Sequence, residues 1–180
     1  MGNSKDEVRK QVHEQLQELD ADYMEKAGRM ILERILSKED YQRANSIFVY
    51  VNLPREPETR GLICQALADG KKVYVPKCIT AHEMVAVQIQ GPEELKAGRM
   101  GIYEPEYHGE AYPEGFDLGI IPCVAASKAG ARLGHGAGFY DSFLTRIPMK
   151  KICLCYGKLL REDIPMEQGD VWMDEVVTEA

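Results

Sequence analysis

Apolar residues recur at intervals of three and four in two stretches near the start of the chain. Between residues 5 and 19, Val8, Val12 and Leu16 follow this spacing with charged residues between them, and residues 23–36 repeat it. A period of about 3.6 residues is that of a helix with one buried face. The chain is therefore predicted to begin with two amphipathic helices.

Short apolar runs rich in β-branched residues follow, separated by residues that favour turns. They occupy residues 46–51, 71–77, 84–90, 116–122 and 150–157. Such runs predict buried strands. Helical patterns lie between the first two runs, where Gly70 is a predicted C-terminal cap, and over residues 138–146, whereas the Gly- and Pro-rich region 91–115 is predicted to be loop. The alternation predicts one domain over residues 1–180, an α/β layered fold with a largely parallel central sheet flanked by helices.

Composition narrows the functional classes. The 180 residues carry a net charge of −7, which argues against a general nucleic-acid surface because phosphate binding needs an excess of Lys and Arg. No stretch reaches the roughly 18 apolar residues of a membrane-spanning helix, and the charged start of the chain is unlike a signal peptide. We therefore expect a cytoplasmic protein that binds neither nucleic acids nor membranes, and we expect it to be a monomer.

The five cysteines form no Cys-x-x-Cys pair. An odd number of cysteines in a chain without a secretion signal predicts reduced thiols. We expect buried, structural cysteines rather than metal ligands or nucleophiles, since free cysteine is among the most buried residue types. Cys153 and Cys155 alternate along a predicted strand, which puts both on the same face.

Four glycines, Gly130, Gly134, Gly136 and Gly138, precede or begin the last predicted helix. A strand that leads through glycines into a helix can bind an anion, because the first amides of a helix lack partners within it. The spacing fits neither the dinucleotide fingerprint nor the P-loop. From spacing alone, an anion-binding loop and a tight turn that permits close packing both stay open.

A longer string carries more information than its glycines. DLGIIPCVAASKAGARLGHGAGFYD, residues 117–141, resembles the signature of the 5-formyltetrahydrofolate cyclo-ligase family, also called 5,10-methenyltetrahydrofolate synthetase. Residues 46–77, GIYEP at 101–105 and GDVWMDEVVTE at 169–179 are similar to further segments of that family, in the same order. The resemblance thus covers nearly the whole chain.

The resemblance implies an enzyme that uses ATP and Mg²⁺ to convert the reduced folate 5-formyltetrahydrofolate into 5,10-methenyltetrahydrofolate, with release of ADP and phosphate. A formyl amide oxygen is a very poor leaving group. Transfer of the γ-phosphoryl group to it would create an iminium phosphate, which the N10 nitrogen attacks as ring closure expels phosphate. Such a reaction asks the protein mainly for alignment and charge neutralisation.

A nucleotide site is also implied by the resemblance. Lys5 and Arg9 match an ATP-contacting pair on one face of the first predicted helix, although such residues are usually only solvated. Arg132 is implied as a phosphate partner with a catalytic role; otherwise it would cap a helix or pair with an acid. The implied nucleotide-binding residues are Lys5, Arg9, Arg132, Leu133, Gly134, His135, Gly136, Ala137, Gly138, Phe139 and Tyr140.

Two aspartates and three further residues complete the implied site. Asp141 and Asp170 match the family's Mg²⁺-linked carboxylates, and Mg²⁺ takes few ligands from protein. Asp141 is also implied as catalytic, although an acid in the first turn of a helix can serve the helix dipole alone. Val51, Glu56 and Tyr140 match folate-binding positions. A glutamate can accept two N–H donors side by side, whereas Tyr140 could simply fill the core.

Near the glycines the sequence departs from the family pattern. His135 stands where Arg or Tyr is frequent, Ala126 and Ser127 replace Phe-Asp, and Gly169 replaces a His. Because histidine ordinarily titrates at about pH 6.5, one phosphate-binding charge is weakened. These changes leave two alternatives open: a non-catalytic folate-binding relative, and an ATP-dependent enzyme that acts on a different small carboxamide.

Overall fold

A six-stranded sheet forms the centre of the protein in the computed structural model, which describes residues 2–98 and 101–180. Its strands are β1 (Ser46–Val49), β2 (Lys72–Cys78), β3 (Met84–Ile89), β6 (Leu118–Ile121), β9 (Lys150–Leu154) and β10 (Glu175–Val177). They lie in the order β10, β9, β6, β1, β2, β3. Every neighbouring pair is parallel except β2 and β3. The prediction of an α/β fold with a largely parallel sheet is confirmed.

The helices pack with this sheet, and side-chain caps stabilise the first residues of the first two. Ser4 and Glu7 form a capping box at the first helix, and the Asp20 carboxylate accepts the Tyr23 amide at 2.7 Å at the second. A parallel crossover joins β1 to β2 and ends at Gly70, whose φ of 79° is the left-handed cap that was predicted. The helices are α1 (Lys5–Glu18), α2 (Ala21–Ser37), α3 (Glu39–Arg43), α4 (Arg60–Ala68) and α5 (Phe139–Arg146).

Aromatic packing fixes α5 on the middle of the sheet. The ring of Phe143 stacks on Phe48 of β1 with centroids 4.9 Å apart, and Phe116 packs on the same Phe48 ring at 5.8 Å. Phe48 and Phe143 are completely buried. The glycine stretch ahead of α5 is therefore held in a fixed relation to the loops that leave β1 and β6. Loops that follow parallel strands meet at the carboxyl edge of a sheet, where α/β proteins bind ligands.

Several short elements were not predicted. Residues 91–115 contain a 3₁₀ turn at Pro92–Glu94 and the antiparallel pair β4 (Lys96–Ala97) and β5 (Tyr103–Glu104), although residues 99 and 100 lie outside the described residues. The pair β7 (Ala125–Ala126) and β8 (Arg132–Leu133), together with α3 and β10, was also missed. Elements of two to five residues contain too little periodicity for a pattern to be recognised.

All five cysteines are free thiols. Cys153 and Cys155 are buried and Cys123 is partly buried, but Cys64 and Cys78 are exposed, so the expectation of burial is wrong for these two. Cys64 is on the outer side of α4, and Cys78 ends β2 where that strand leaves the core. Among the described residues, no helix is both long and apolar enough to cross a bilayer.

Candidate functional site

Residues 134–138 form a largely exposed loop between β8 and α5. Gly136 and Gly138 have positive φ values of 107° and 76°, which glycine adopts without steric cost. Gly138 begins α5, and no side chain caps the helix at this residue. The first amides of α5 therefore face the loop without a side-chain partner, which is the arrangement found where helix starts bind anions.

Gly130 must be a glycine for a different reason. Its φ is 101°, and a Cβ atom there would lie 2.3 Å from the carbonyl oxygen of Met173. The Met173 amide donates to the Gly130 carbonyl at 2.8 Å, so two backbones run side by side. Close packing is therefore the reason for the glycine at position 130, whereas the backbone at Gly136 and Gly138 is open and anion binding there stays a prediction.

Arg132 lies beneath the loop rather than in it. Its side chain is 4% exposed, and its Nε donates to the Pro122 carbonyl at 2.7 Å. The guanidinium lies over the Tyr140 ring at 5.2 Å, with Nη1 3.9 Å from Asp141 Oδ1. Arg132 therefore packs against the first turn of α5 from inside the protein. Direct contact between Arg132 and a phosphate stays a prediction.

The first turns of α1 contact the glycine loop and the C-terminal segment. Arg9 Nε donates to the Gly134 carbonyl at 2.8 Å. Lys5 Nζ lies 2.5 Å from Asp170 Oδ2 and 3.3 Å from Glu167 Oε2. The structure thus brings together Lys5, Arg9, Asp170 and the loop, which are far apart in sequence.

Asp141 and Asp170 lie on adjoining segments, because Asp141 Oδ1 accepts the Val171 amide at 3.0 Å. Partial burial alone would raise the pKa of Asp170, but hydrogen bonds from Lys5 and the Glu167 amide hold that pKa below its ordinary value. The carboxylate is therefore ionised at neutral pH. No described group of three or more His, Cys, Asp or Glu residues could hold a metal. A pair of carboxylates nevertheless fits Mg²⁺, which usually takes only one or two from protein.

The loop after β1 carries Glu56 and folds back on the end of its own strand. The Tyr50 hydroxyl donates to the Pro57 carbonyl at 2.7 Å, and Thr59 Oγ1 donates to the Tyr50 carbonyl at 2.6 Å. Glu56 Oε1 accepts the Leu53 amide at 2.7 Å, and the Glu56 side chain is 12% exposed. The carboxylate is thus held in place before any ligand arrives.

His135 joins this loop to the glycine loop. Its Nε2 lies 3.6 Å from Glu56 Oε2, while half of the His135 side chain remains exposed. A predicted nucleotide-binding residue and a predicted folate-binding residue are therefore neighbours.

A cavity of about 40 Å³ opens beside the contact between His135 and Glu56. Small-molecule sites enclose about 300–1,000 Å³, so a pterin could enter only if the walls moved apart. A larger cavity, of about 500 Å³, lies over β2 and β3, but it is lined by four glutamates, which would repel an anionic folate, and by none of the predicted site residues. We therefore assign the smaller cavity to the site. Its walls include Val12, Leu16, Arg55, Glu56, Cys123, His135, Cys155 and Tyr156.

The remaining predicted residues surround the loop at different depths. Leu133 is buried in β8, and Phe139 packs partly buried against the core, so only their backbones face the loop region. Ala137 is exposed within the loop. Tyr140 is partly buried beneath the loop, edge-on to Phe48 at 6.5 Å. Val51 is also partly buried and packs against the core.

Sequence reasoning missed Arg55 as a residue that shapes the site, and it did not predict the contact that Ser127 makes. Arg55 precedes Glu56 and is the only described non-glycine residue with a positive φ, 72°. No residue pattern signals a left-handed arginine. Ser127 is buried, and its Oγ accepts the Ala131 amide at 3.1 Å. It closes the turn between β7 and β8 at the position where the resemblance has an aspartate.

A mostly parallel sheet, with loops at its carboxyl edge and a glycine loop that leads into a helix, defines an α/β protein with a candidate ligand site at that edge. Residues 1–179 match the 5-formyltetrahydrofolate cyclo-ligase family, and the chain belongs to this family. The predicted family, a family of ligases in folate metabolism, is confirmed.

Similar proteins agree with this assignment. A Caenorhabditis elegans protein named probable 5-formyltetrahydrofolate cyclo-ligase is 32% identical, over 97% of this chain and 92% of its own. A Schizosaccharomyces pombe protein of the same name is 31% identical, over 82% and 81%. The solved structure of Aquifex aeolicus 5,10-methenyltetrahydrofolate synthetase is 27% identical with a TM-score of 0.86, and the match covers 97% of this chain and 89% of that one.

Proposed function

We propose that the protein catalyses the ATP-dependent cyclisation of 5-formyltetrahydrofolate to 5,10-methenyltetrahydrofolate, with release of ADP and phosphate. One observation carries the proposal: His135 of the glycine loop lies 3.6 Å from Glu56. A phosphate at the loop and a pterin held by Glu56 would therefore be adjacent. Membership of the cyclo-ligase family supports the same reaction.

The nucleotide half of the proposed site consists of the glycine loop, Lys5 and Arg9. Backbone amides at the start of α5 would bind terminal phosphates, and the two basic side chains would offset their charge. Asp141 and Asp170 would hold Mg²⁺, which supplies further charge neutralisation when bound. Lys5 must then exchange Asp170 for phosphate, or bridge the two.

In the folate half, Glu56 would accept two N–H groups of the pterin through its two carboxylate oxygens. The formyl oxygen attacks the γ-phosphorus, so a new O–P bond forms as the P–O bond to ADP breaks. N10 then attacks the formyl carbon, the C–O bond to phosphate breaks, and N10 loses its proton to solvent. The contribution of the protein would be alignment of the two substrates and neutralisation of the charge on the transferred phosphoryl group.

A direct assay tests this proposal. Purified protein mixed with 5-formyltetrahydrofolate and Mg·ATP should raise the near-ultraviolet absorbance of the methenyl product, and omission of either substrate should abolish the rise. No rise at high protein concentration, with the protein shown to be folded by circular dichroism, would contradict the proposal.

A non-catalytic folate-binding protein is the second candidate. The interior position of Arg132 and the histidine at position 135 favour it, because both lower the positive charge next to a transferring phosphate. Such a protein would bind the folate in calorimetry but release no ADP. Release of ADP with other small carboxamides, but not with the folate, would instead indicate a different substrate.

A further inference from the structure

Arg55 joins the loop that carries Glu56 to the C-terminal end of α1, beside the cavity. Its Nη2 donates to the carbonyl oxygen of Leu19 at 2.8 Å and also to that of Leu16. Both carbonyls belong to the C-terminal end of α1, where Leu19 is the cap residue and its amide also donates to the Leu16 carbonyl at 3.2 Å. A guanidinium placed at a helix C-terminus also complements the helix dipole. Leu16 and Arg55 both line the cavity, so this contact is part of its lining.

The geometry of Arg55 is costly for the chain. Its φ of 72° is left-handed, which residues other than glycine seldom adopt. Its Nε is buried and has no hydrogen-bond partner within residues 2–98 and 101–180. Two unfavourable features at one residue, directly before Glu56, are typical of a position kept for function rather than for stability.

The same helix contacts the nucleotide half of the site at its other end. Lys5 and Arg9 lie in the first turns of α1, where they contact Asp170 and the Gly134 carbonyl. The two ends of α1 thus contact the two halves of the proposed site. An adjustment of α1 as one unit on binding at Lys5 and Arg9 would reach Arg55 and the cavity lining.

We infer that Arg55 is a positioning residue through which nucleotide binding at α1 favours folate binding beside Glu56. The inference rests on the proposed function. Nucleotide would fix α1, α1 would fix Arg55, and the loop that carries Glu56 would then be ordered before folate arrives. Since coupling between two sites is reciprocal, bound folate should tighten nucleotide binding by the same factor.

One other route could carry the coupling, the contact between His135 and Glu56. Two substitutions distinguish the two routes, because each removes only one of the contacts. Arg55→Gly removes the guanidinium, and glycine readily adopts the left-handed backbone conformation at this position. The substitution therefore tests the side-chain contacts of Arg55 without disturbing the backbone. His135→Ala removes the alternative contact and leaves Arg55 intact.

The experiment measures the Kd of 5-formyltetrahydrofolate by calorimetry, with and without saturating Mg·ADP, so that no turnover occurs. In the wild-type protein, Mg·ADP should tighten the folate Kd by at least about fivefold, the lower end of typical coupling. Arg55→Gly should reduce that factor to below about twofold, while its nucleotide Kd without folate stays within about twofold of wild type. Arg34→Ala is the matched control: Arg34 also donates to a carbonyl, that of Thr178 at 2.8 Å, on the outside of the protein, and its loss should leave the factor unchanged.

Retention of the full factor in Arg55→Gly overturns the inference, and so does its loss in His135→Ala alone. If Arg55→Gly does not fold, Arg55→Asn serves instead, because asparagine tolerates a left-handed backbone. The absorbance assay on wild-type protein separates the two proposals. Turnover without coupling contradicts only the role of Arg55, whereas a protein that binds folate but never cleaves ATP contradicts the proposed function.

Discussion

His135 Nε2 lies 3.6 Å from Glu56 Oε2, and this contact joins the glycine loop, which precedes α5, to the loop that follows β1. The first loop offers unpartnered amides suited to phosphate. The second holds a carboxylate that is already oriented by the Leu53 amide. The two halves of a reaction between a nucleotide and a folate would therefore meet at this contact.

Glu56→Gln should weaken folate binding more than nucleotide binding. Glutamine keeps the shape of the side chain but replaces one acceptor oxygen by a donor, so a charge-assisted hydrogen bond of about 1.5–3 kcal/mol is lost. The KM for folate should rise at least about tenfold, measured by initial rates at saturating Mg·ATP. Glu58→Gln is the control, because Glu58 is exposed and should leave the KM within about twofold. Equal effects of the two variants would remove Glu56 from the folate site.

Asp141→Asn should impair use of Mg·ATP more than folate binding. Asparagine can still accept the Val171 amide, so the fold is kept while a metal-binding charge is lost. We expect the KM for Mg·ATP to rise at least about tenfold and the folate Kd to change less than about twofold. Removal of Mg²⁺ with EDTA should abolish turnover in the wild-type protein. Asp22→Asn, on the exposed side of α2, should behave as wild type, and parallel defects in both substrates for Asp141→Asn would contradict the role.

Gly130→Ala should destabilise the protein by at least about 2 kcal/mol, because the added Cβ meets the Met173 carbonyl and φ is positive. Gly28→Ala is the matched substitution, since nothing lies within 4 Å of its Cβ position. In a helix interior this second change should stabilise by up to about 1 kcal/mol. Urea unfolding measures both. A neutral Gly130→Ala would show that the two backbones are not held together.

The Tyr23 hydroxyl should make stability fall at alkaline pH. Burial and a hydrogen bond to Glu179 raise its pKa to about 12. Because this pKa is raised above that of unfolded tyrosine, about 10, the contribution is complete below pH 10 and is lost as pH rises through about 12.

Tyr23→Phe tests this pH dependence by urea unfolding between about pH 8 and 11. Its stability deficit relative to wild type should be constant at first and then shrink as the pH passes about 10. Tyr103→Phe is the control, since the Tyr103 side chain is exposed and its substitution should not alter the pH profile. A deficit for Tyr23→Phe that does not change with pH would refute the linkage.

The sheet could be predicted because its central strands are short apolar runs between turn residues, as in Ile47 to Val49. Long amphipathic helices were equally clear. The antiparallel direction of β3 could not be predicted, since a run that is buried on both faces looks the same in either direction. Short pairs such as β7 and β8 depend on a turn closed by Ser127, which tertiary contacts determine.

The glycine loop could be recognised from the sequence as a candidate site. How deeply each residue in and around the loop is buried could not be predicted. Arg132 and Gly134 are close in sequence, yet one is buried under α5 while the other is partly exposed in the loop. Contacts such as those from Arg55 to the end of α1 join residues far apart in the chain. No local spacing encodes them, because they arise only when α1 packs over the carboxyl edge of the sheet.

The proposed reaction requires phosphorylation of the formyl oxygen itself, and transfer of an oxygen isotope measures this step. 5-Formyltetrahydrofolate labelled with ¹⁸O in the formyl group is converted with unlabelled Mg·ATP, and the inorganic phosphate is analysed by ³¹P NMR. One ¹⁸O atom should appear in the phosphate for each methenyl product formed. Unlabelled phosphate with the label released to water, in a control that shows no exchange of the starting folate, would contradict the proposed reaction.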